Sequence, residues 1–272
     1  MLRTRLISIA ALAPLVVAGV IVGGWLWTGI CAVAILLATH EYLHLVRADA
    51  SSPQGPAAPS YLLGMMLAVL WIADARWPGM GLRAWGLALA ALAPLAAQVI
   101  RGGPEGSLNG WALTVAGTLY VGYALSHWVL LRDLAHGLDW TAIALAGTWS
   151  SDAGAYLIGR AWGRRPFFPS ISPKKTLEGA VGGMVLSVLG TVAAALLLPV
   201  AIAPWQALVL GLLISIAAPL GDLAESVIKR QTGAKDAGRL IPGHGGMLDR
   251  LDSLIFVGPL AYYVVTLFLR AG

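Results

Sequence analysis

The sequence predicts an all-α protein that crosses a membrane about nine times. Of its 272 residues, 58% are hydrophobic and 11% are charged, and the mean hydropathy is +0.78. Soluble globular domains carry about 25% charged residues, so this composition lies outside their range. The apolar residues also form runs of the length that a membrane-spanning helix needs, about 20 residues. Inside lipid a helix satisfies every backbone polar group within one such run, which favours helices for all of them.

The spans are predicted from these apolar runs in chain order. The first run follows a basic start, as in a signal peptide, but a second apolar run comes at once, so we interpret the first as an uncleaved helix. A Pro/Ser/Ala-rich stretch, 48–60, is predicted to be a loop. Asp74, Arg76 and Pro78 leave only a tight turn between the third and fourth runs. The predicted spans are 5–22, 25–45, 60–75, 82–100, 110–131, 138–160, 177–199, 204–224 and 251–270.

The lysines and arginines predict the orientation of these spans. With the N-terminus inside the cell, 14 of the 18 basic residues lie on the inner side. Because cytoplasmic loops carry an excess of Lys and Arg, we expect the N-terminus inside and the C-terminus outside. The protein would then be a multi-pass protein of the inner (plasma) membrane. We divide it into about five N-terminal helices, 1–135, and a C-terminal catalytic part, 136–272, with two basic cytoplasmic loops.

The basic loop before the seventh predicted helix indicates a phosphate site. Ser172 and Pro173 have the pattern of a helix N-cap and a first helical residue, which puts Lys174, Lys175 and Thr176 in the first turn. Lysines at that position oppose the helix dipole unless an anion lies among them. The alternative is that these lysines only set the topology or contact anionic lipid head groups.

Acidic residues at two helix ends add a second candidate feature. Asp152 falls within the sixth apolar run, where an ionisable residue indicates function unless a neighbouring helix merely neutralises it. The eighth run ends with Asp222, Glu225, Ser226 and Lys229, spaced i, i+3, i+4 and i+7. This spacing places two acids, a hydroxyl and a base on one helix face.

The ninth helix opens with a further pair of carboxylates. Asp249 and Asp252 stand at i and i+3, with Arg250 between them. Carboxylates from two helix ends beside a basic surface suit a hard cation that bridges to phosphates. Gly245 and Gly246 lack a Cβ, so their backbone amides can approach a phosphate. The alternative is a charged connecting loop without chemistry.

The segment Ser226 to Asp252 resembles the complete signature of the phosphatidate cytidylyltransferases, also called CDP-diacylglycerol synthases. Asp152, Ala155, Tyr156 and the stretch Ser172 to Gly179 also resemble this family. The resemblance covers about 150 to 270, whereas the first 130 residues share only the helical membrane character. The signature positions filled here are Ser226, Lys229, Arg230, Lys235, Asp236, Gly238, Pro242, His244, Gly245, Gly246, Asp249, Arg250 and Asp252.

The resemblance implies an enzyme that makes CDP-diacylglycerol and pyrophosphate from CTP and phosphatidic acid in the bilayer. It implies Mg²⁺ held by Asp222 and Asp249, a monovalent cation such as K⁺ beside it, and a homodimer; we expect no nucleic-acid partner. The predicted catalytic residues are Asp222, Asp249, Lys229, Arg230 and Asp152. The predicted substrate-binding residues are Ser172, Lys174, Lys175, Thr176, Ser226, Lys235, Asp236, His244, Gly245, Gly246, Arg250 and Asp252, the last in an outer, supporting role.

Three other functions compete with this interpretation. His40-Glu41-Tyr42-Leu43-His44 fits H-E-x-x-H, the pattern of zinc metalloproteases, but its three fixed characters are weaker than a 27-residue signature. We interpret it as an interfacial histidine pair with a glutamate. A transporter is disfavoured because the polar groups cluster at one face and no internal symmetry is visible. A CTP-dependent lipid kinase of similar architecture would transfer a different phosphoryl group.

Overall fold

The computed structural model confirms the all-α class. It describes residues 13–50, 58–101, 106–238, 240 and 245–269, and these contain no β-strand, although Pro166 and Thr176 form an isolated antiparallel bridge. Nine helices lie in the described residues, one for each predicted span. They are α1 Ala13–Val22, α2 Gly24–Ala50, α3 Tyr61–Arg76, α4 Leu82–Arg101, α5 Ser107–Arg132, α6 Gly137–Trp162, α7 Leu177–Leu197, α8 Pro204–Gln231 and α9 Leu248–Leu269.

The lengths and composition of these helices identify a multi-pass membrane protein. Within the described residues, six helices are long and apolar enough to cross a membrane: α2, α4, α5, α7, α8 and α9. The described part of α1 is short, α3 has 16 residues, and α6 is long but carries Asp139 and Asp152. Large apolar side chains such as Ile100 and Leu197 are 86% and 84% exposed, as expected of residues that contact lipid.

The chain divides into two compact units that alternate in sequence. Unit 1 comprises Met1–Val129 and Ile228–Leu251, and unit 2 comprises Leu130–Val227 and Asp252–Gly272. The divisions fall within α5, α8 and α9, so the polar end of α8 and the first turn of α9 belong to unit 1. The division predicted at residue 135 stays a prediction.

In unit 1, α2 is fixed by close packing against glycines of α3 and α5. A Cβ added at Gly64 would lie 2.7 Å from a methyl of Leu43, and one added at Gly117 would lie 2.5 Å from Cδ1 of Tyr42. Contacts this short leave no space for a Cβ at those glycines unless a neighbouring side chain shifts. Leu43 and Tyr42 are therefore held against α3 and α5, which fixes the rotation of α2 and hence the direction of Glu41.

In unit 2, α6 and α7 pack through small residues. A Cβ added at Gly154 would lie 2.6 Å from the carbonyl oxygen of Gly182, and one added at Gly183 would lie 2.9 Å from that of Ser151. Small residues let two membrane helices approach to backbone contact. These stretches, which would also suit packing between two copies of the chain, are thus used within it, and the homodimer stays a prediction.

The helix α7 begins at 177, where the predicted span begins, but its N-cap differs from the predicted one. The helix begins at Leu177 with Thr176 as its N-cap, whose Oγ1 accepts a hydrogen bond from the Gly179 N–H at 3.2 Å. Ser172 is therefore not the cap, and the two lysines do not lie in the first turn. The reason is that the backbone before α7 pairs with an earlier segment: the Phe167 N–H donates to the Lys175 carbonyl at 2.8 Å.

Candidate functional site

Asp249, in the first turn of α9, organises the candidate residues of unit 1. Its Oδ1 accepts a hydrogen bond from Lys229 Nζ at 2.7 Å. Its Oδ2 accepts from the backbone N–H groups of Ala237 at 3.0 Å and Gly246 at 2.8 Å. The Asp249 side chain is 7% exposed and that of Lys229 is 12% exposed. A buried charge is tolerated when it is paired and hydrogen-bonded, and this carboxylate meets both conditions.

The glycines beside Asp249 allow this arrangement. Gly245 has a φ of +85°, which residues with a Cβ rarely adopt. A Cβ added at Gly245 would also lie 2.9 Å from Oδ2 of Asp249. The chain therefore needs glycine here both for its backbone conformation and for the approach of the carboxylate. In this structure the Gly246 N–H donates to Asp249.

A second ion pair lies in unit 2, on the polar part of α8. Lys175 Nζ lies 2.7 Å from Asp222 Oδ2, at ion-pair distance but without the angles of a hydrogen bond. The Lys175 side chain is 26% exposed and that of Asp222 is 37% exposed. Asp222 Oδ1 also accepts a hydrogen bond from Ser226 Oγ one turn later, at 3.4 Å. On the predicted face of α8, the Ser226 hydroxyl thus donates to the Asp222 carboxylate within the helix. The base that pairs with Asp222 is Lys175, from the loop before α7.

The other predicted residues occupy more open positions. Asp252 is partly buried, and its Oδ1 accepts a hydrogen bond from the Ser253 N–H at 2.6 Å. Ser172 is partly buried and its carbonyl accepts from the Lys175 N–H at 3.1 Å. His244 lies outside the described residues, as does Pro242. The exposed candidates are Asp152, Lys174, Arg230, Lys235, Asp236 and Arg250.

The H-E-x-x-H segment does not have the arrangement of a zinc site. His40 Nδ1 lies 2.7 Å from the Tyr61 hydroxyl, and the rings of His40 and His44 are 4.4 Å apart. Glu41 points elsewhere, because its Oε2 accepts a hydrogen bond from the Leu248 N–H at 2.8 Å. The described residues contain no group of three or more His, Cys, Asp and Glu side chains able to hold a metal ion. The metalloprotease interpretation is therefore not favoured.

The donors at the two predicted metal ligands suit magnesium. Asp222 and Asp249 offer carboxylate oxygens, the ligands of hard cations, and each binds the ammonium of a lysine at 2.7 Å. Magnesium characteristically uses one or two carboxylates and completes its shell with water and substrate phosphates. It therefore does not need a larger cluster of protein ligands.

The sequence as a whole matches one family. A model described as the cytidylyltransferase family matches residues 3–268. The chain belongs to the cytidylyltransferase family. The match extends the resemblance predicted for about 150 to 270 over almost the whole chain, and it makes the protein a nucleotidyltransferase.

Several relatives of this cytidylyltransferase are named phosphatidate cytidylyltransferase. The phosphatidate cytidylyltransferase of Synechocystis sp. is 34% identical over an alignment that covers 97% of each chain. The chloroplastic phosphatidate cytidylyltransferase 5 of Arabidopsis thaliana is 36% identical over 91% of this chain and 68% of its own. The phosphatidate cytidylyltransferase of Bacillus subtilis is 39% identical over 55% of this chain and 56% of its own.

Proposed function

We propose that this protein transfers CMP from CTP to phosphatidic acid, giving CDP-diacylglycerol and pyrophosphate in phospholipid biosynthesis. The observation that carries the proposal is the family match over 3–268, together with a relative named phosphatidate cytidylyltransferase that aligns over 97% of both chains. The buried Lys229–Asp249 pair and the half-exposed Lys175–Asp222 pair support it, because such groups suit a reaction between two polyanions.

The reaction needs no covalent bond to the protein. A phosphate oxygen of phosphatidic acid attacks the α-phosphorus of CTP, and the bond from that phosphorus to the bridging oxygen of the β-phosphate breaks. Pyrophosphate leaves with the electron pair. Catalysis of this kind depends on positioning and charge neutralisation, so the chain requires no activated Ser or Cys.

The described residues divide this work between cations and carboxylates. Lys175 and Lys229 bind Asp222 and Asp249 in this structure, and their ammonium groups can bind substrate phosphates instead. The two carboxylates, released from their lysines, would hold Mg²⁺, with the monovalent cation implied by the family resemblance beside it. Bound Mg²⁺ supplies neutralisation of the phosphate charge. The loop backbone at Ala237 and Gly246 keeps Asp249 oriented throughout.

The proposal extends to the side of the membrane on which the reaction takes place. The protein is a multi-pass membrane protein, and the excess of Lys and Arg in both basic loops favours a cytoplasmic position for them. We therefore extend the proposal to an active site on the cytoplasmic face of the inner membrane, with the N-terminus inside. CTP then arrives from the cytoplasm and phosphatidic acid from the bilayer.

The position of the transferred phosphorus tests the reaction class. Purified protein in phosphatidic acid vesicles is given CTP labelled at either the α- or the γ-phosphate, and the lipid extract is counted. We expect label from the α position to enter lipid and label from the γ position to remain in water-soluble pyrophosphate. A CTP-dependent lipid kinase would give the reverse result. Vesicles without phosphatidic acid serve as the control.

The two adjacent lysines of the loop before α7 allow a matched comparison. Lys175 lies 2.7 Å from Asp222 whereas Lys174 is exposed. We expect Lys175→Ala to raise the KM for one substrate or lower kcat by roughly tenfold or more, and Lys174→Ala to have a smaller effect. Steady-state kinetics with each substrate varied in turn measures both. Wild-type kinetics for both variants would assign these lysines to topology alone.

A further inference from the structure

Glu41 of α2 is a buried carboxylate that the reaction itself does not use. Its side chain belongs to a residue that is 3% exposed, and its Oε2 accepts a hydrogen bond from the Leu248 N–H at 2.8 Å. Leu248 is the first residue of α9, where backbone N–H groups have no partner within the helix. A carboxylate is favoured at this end of a helix because the helix dipole is positive there. A residue 207 positions earlier in the chain thus caps the helix that carries Asp249.

Two glycines make room for this carboxylate. A Cβ added at Gly238 would lie 2.5 Å from Cδ of Glu41, and one added at Gly246 would lie 2.7 Å from the same atom. Both distances are too short for a real contact. Neither glycine has a positive φ, so space rather than backbone conformation explains the absence of a side chain. Glu41 therefore fills a slot between the two described ends of the loop that joins α8 and α9.

Asp249 binds the same two parts of the loop through its own carboxylate. Its Oδ2 accepts from Ala237, next to Gly238, and from Gly246, two residues before Leu248. Both carboxylates, of Glu41 and of Asp249, thus contact these described parts of the loop, and we call this arrangement the clamp. Any shift of the loop toward Glu41 would remove donors from Asp249 and leave its charge paired with Lys229 alone.

From these contacts we propose that Glu41 is a positioning residue for the reaction: it fixes the described parts of the loop between α8 and α9, at Gly238 and Gly246, and thereby the orientation of Asp249. Only the expected effect of Glu41 on activity rests on the proposed function. The clamp itself is a property of unit 1 and is measurable without substrate. It also accounts for the glutamate of the H-E-x-x-H segment without a metal.

Hydrogen exchange in the full-length protein, in nanodiscs without CTP or metal, measures the clamp directly. Glu41→Ala removes the acceptor of the Leu248 N–H, so we expect the Leu248 amide to exchange roughly tenfold faster or more. Glu41→Gln keeps an acceptor oxygen and should preserve slow exchange. His44→Ala is the matched control, since it removes a side chain of the same segment that faces Tyr61 and should match the wild type.

Kinetics of the same variants separate positioning from general stability. We expect Glu41→Ala to lower kcat by about tenfold or more with a smaller change in the KM for CTP, and Glu41→Gln to recover most of kcat. Wild-type exchange and kcat in Glu41→Ala would overturn the inference. So would a lowered melting temperature with unchanged exchange at Leu248. If the wild type shows no α-label transfer but the exchange differences appear, the proposed function fails and the clamp stands.

A second pair of variants keeps the test informative if Glu41→Ala folds poorly. Gly246→Ala places a methyl against the Glu41 carboxylate and should accelerate exchange of the Leu248 amide. In a Glu41→Asp background the shorter side chain leaves room for that methyl, so the added effect of Gly246→Ala should shrink. Equal effects in both backgrounds would show that the two residues do not act on each other.

Discussion

We expect Asp249→Asn to lower turnover by about two or more orders of magnitude while the protein inserts normally in the membrane. The carboxylate of Asp249 accepts from Lys229 and from two backbone N–H groups. An asparagine offers one acceptor oxygen and one NH₂ group. If its oxygen keeps the two backbone donors, its NH₂ group faces the Lys229 ammonium, and two donors then oppose each other.

The loss therefore has two sources. Lys229, 12% exposed, loses the carboxylate that lies 2.7 Å from its ammonium group. The amide also lacks the negative charge and the ligand geometry that a hard cation needs. Both effects reduce turnover, whereas only the first reduces the stability of unit 1.

Turnover with saturating CTP and phosphatidic acid, together with a thermal melt, checks this expectation. Asp252→Asn is the matched control, because Asp252 lies one turn later on α9 and its Oδ1 accepts from the neighbouring Ser253 N–H. We expect its effect to be milder. Near-normal turnover in Asp249→Asn, or equal losses in both variants, would contradict a central role for Asp249.

The helices could be predicted from sequence because lipid imposes a length on apolar runs, but the polar helix ends and the N-cap of α7 could not. The eighth run was predicted to end at 224, yet α8 continues to Gln231. Hydropathy marks the part of a helix that lies in lipid, and the polar turn that carries Lys229 remains helical beyond it. At α7 the pattern of Ser172 and Pro173 suggested a cap, but tertiary pairing of the preceding backbone moved the start to Leu177.

The candidate site was predicted as a set of residues and not as a set of contacts. The charges of Lys175, Lys229, Asp222 and Asp249 are visible in the sequence, but their pairing depends on how the helices pack. Glu41 could not have been assigned, because its partner Leu248 is 207 residues away and contributes only a backbone N–H. Sequence patterns report on side chains close in the chain, whereas this contact is made by the tertiary fold.

Asp222→Asn tests the metal assignment with less structural disturbance than Asp249→Asn. Asp222 is 37% exposed, and its ion pair with Lys175 lacks hydrogen-bond angles, so the loss of its charge leaves no deeply buried group unpaired. We expect a small change in melting temperature. If both aspartates hold Mg²⁺, turnover should nevertheless fall by about two or more orders of magnitude, because an amide is a poor substitute for a carboxylate ligand.

The double variant decides whether the two aspartates act as one unit. Residues that serve a single centre are strongly non-additive, so Asp222→Asn combined with Asp249→Asn should be scarcely slower than either single variant. Independent roles would instead multiply the two losses. Turnover measured across a range of Mg²⁺ concentrations completes the test. If Asp222→Asn keeps near-normal turnover at low Mg²⁺, Asp222 is not a metal ligand, and the reaction class still rests on the label that reaches the lipid.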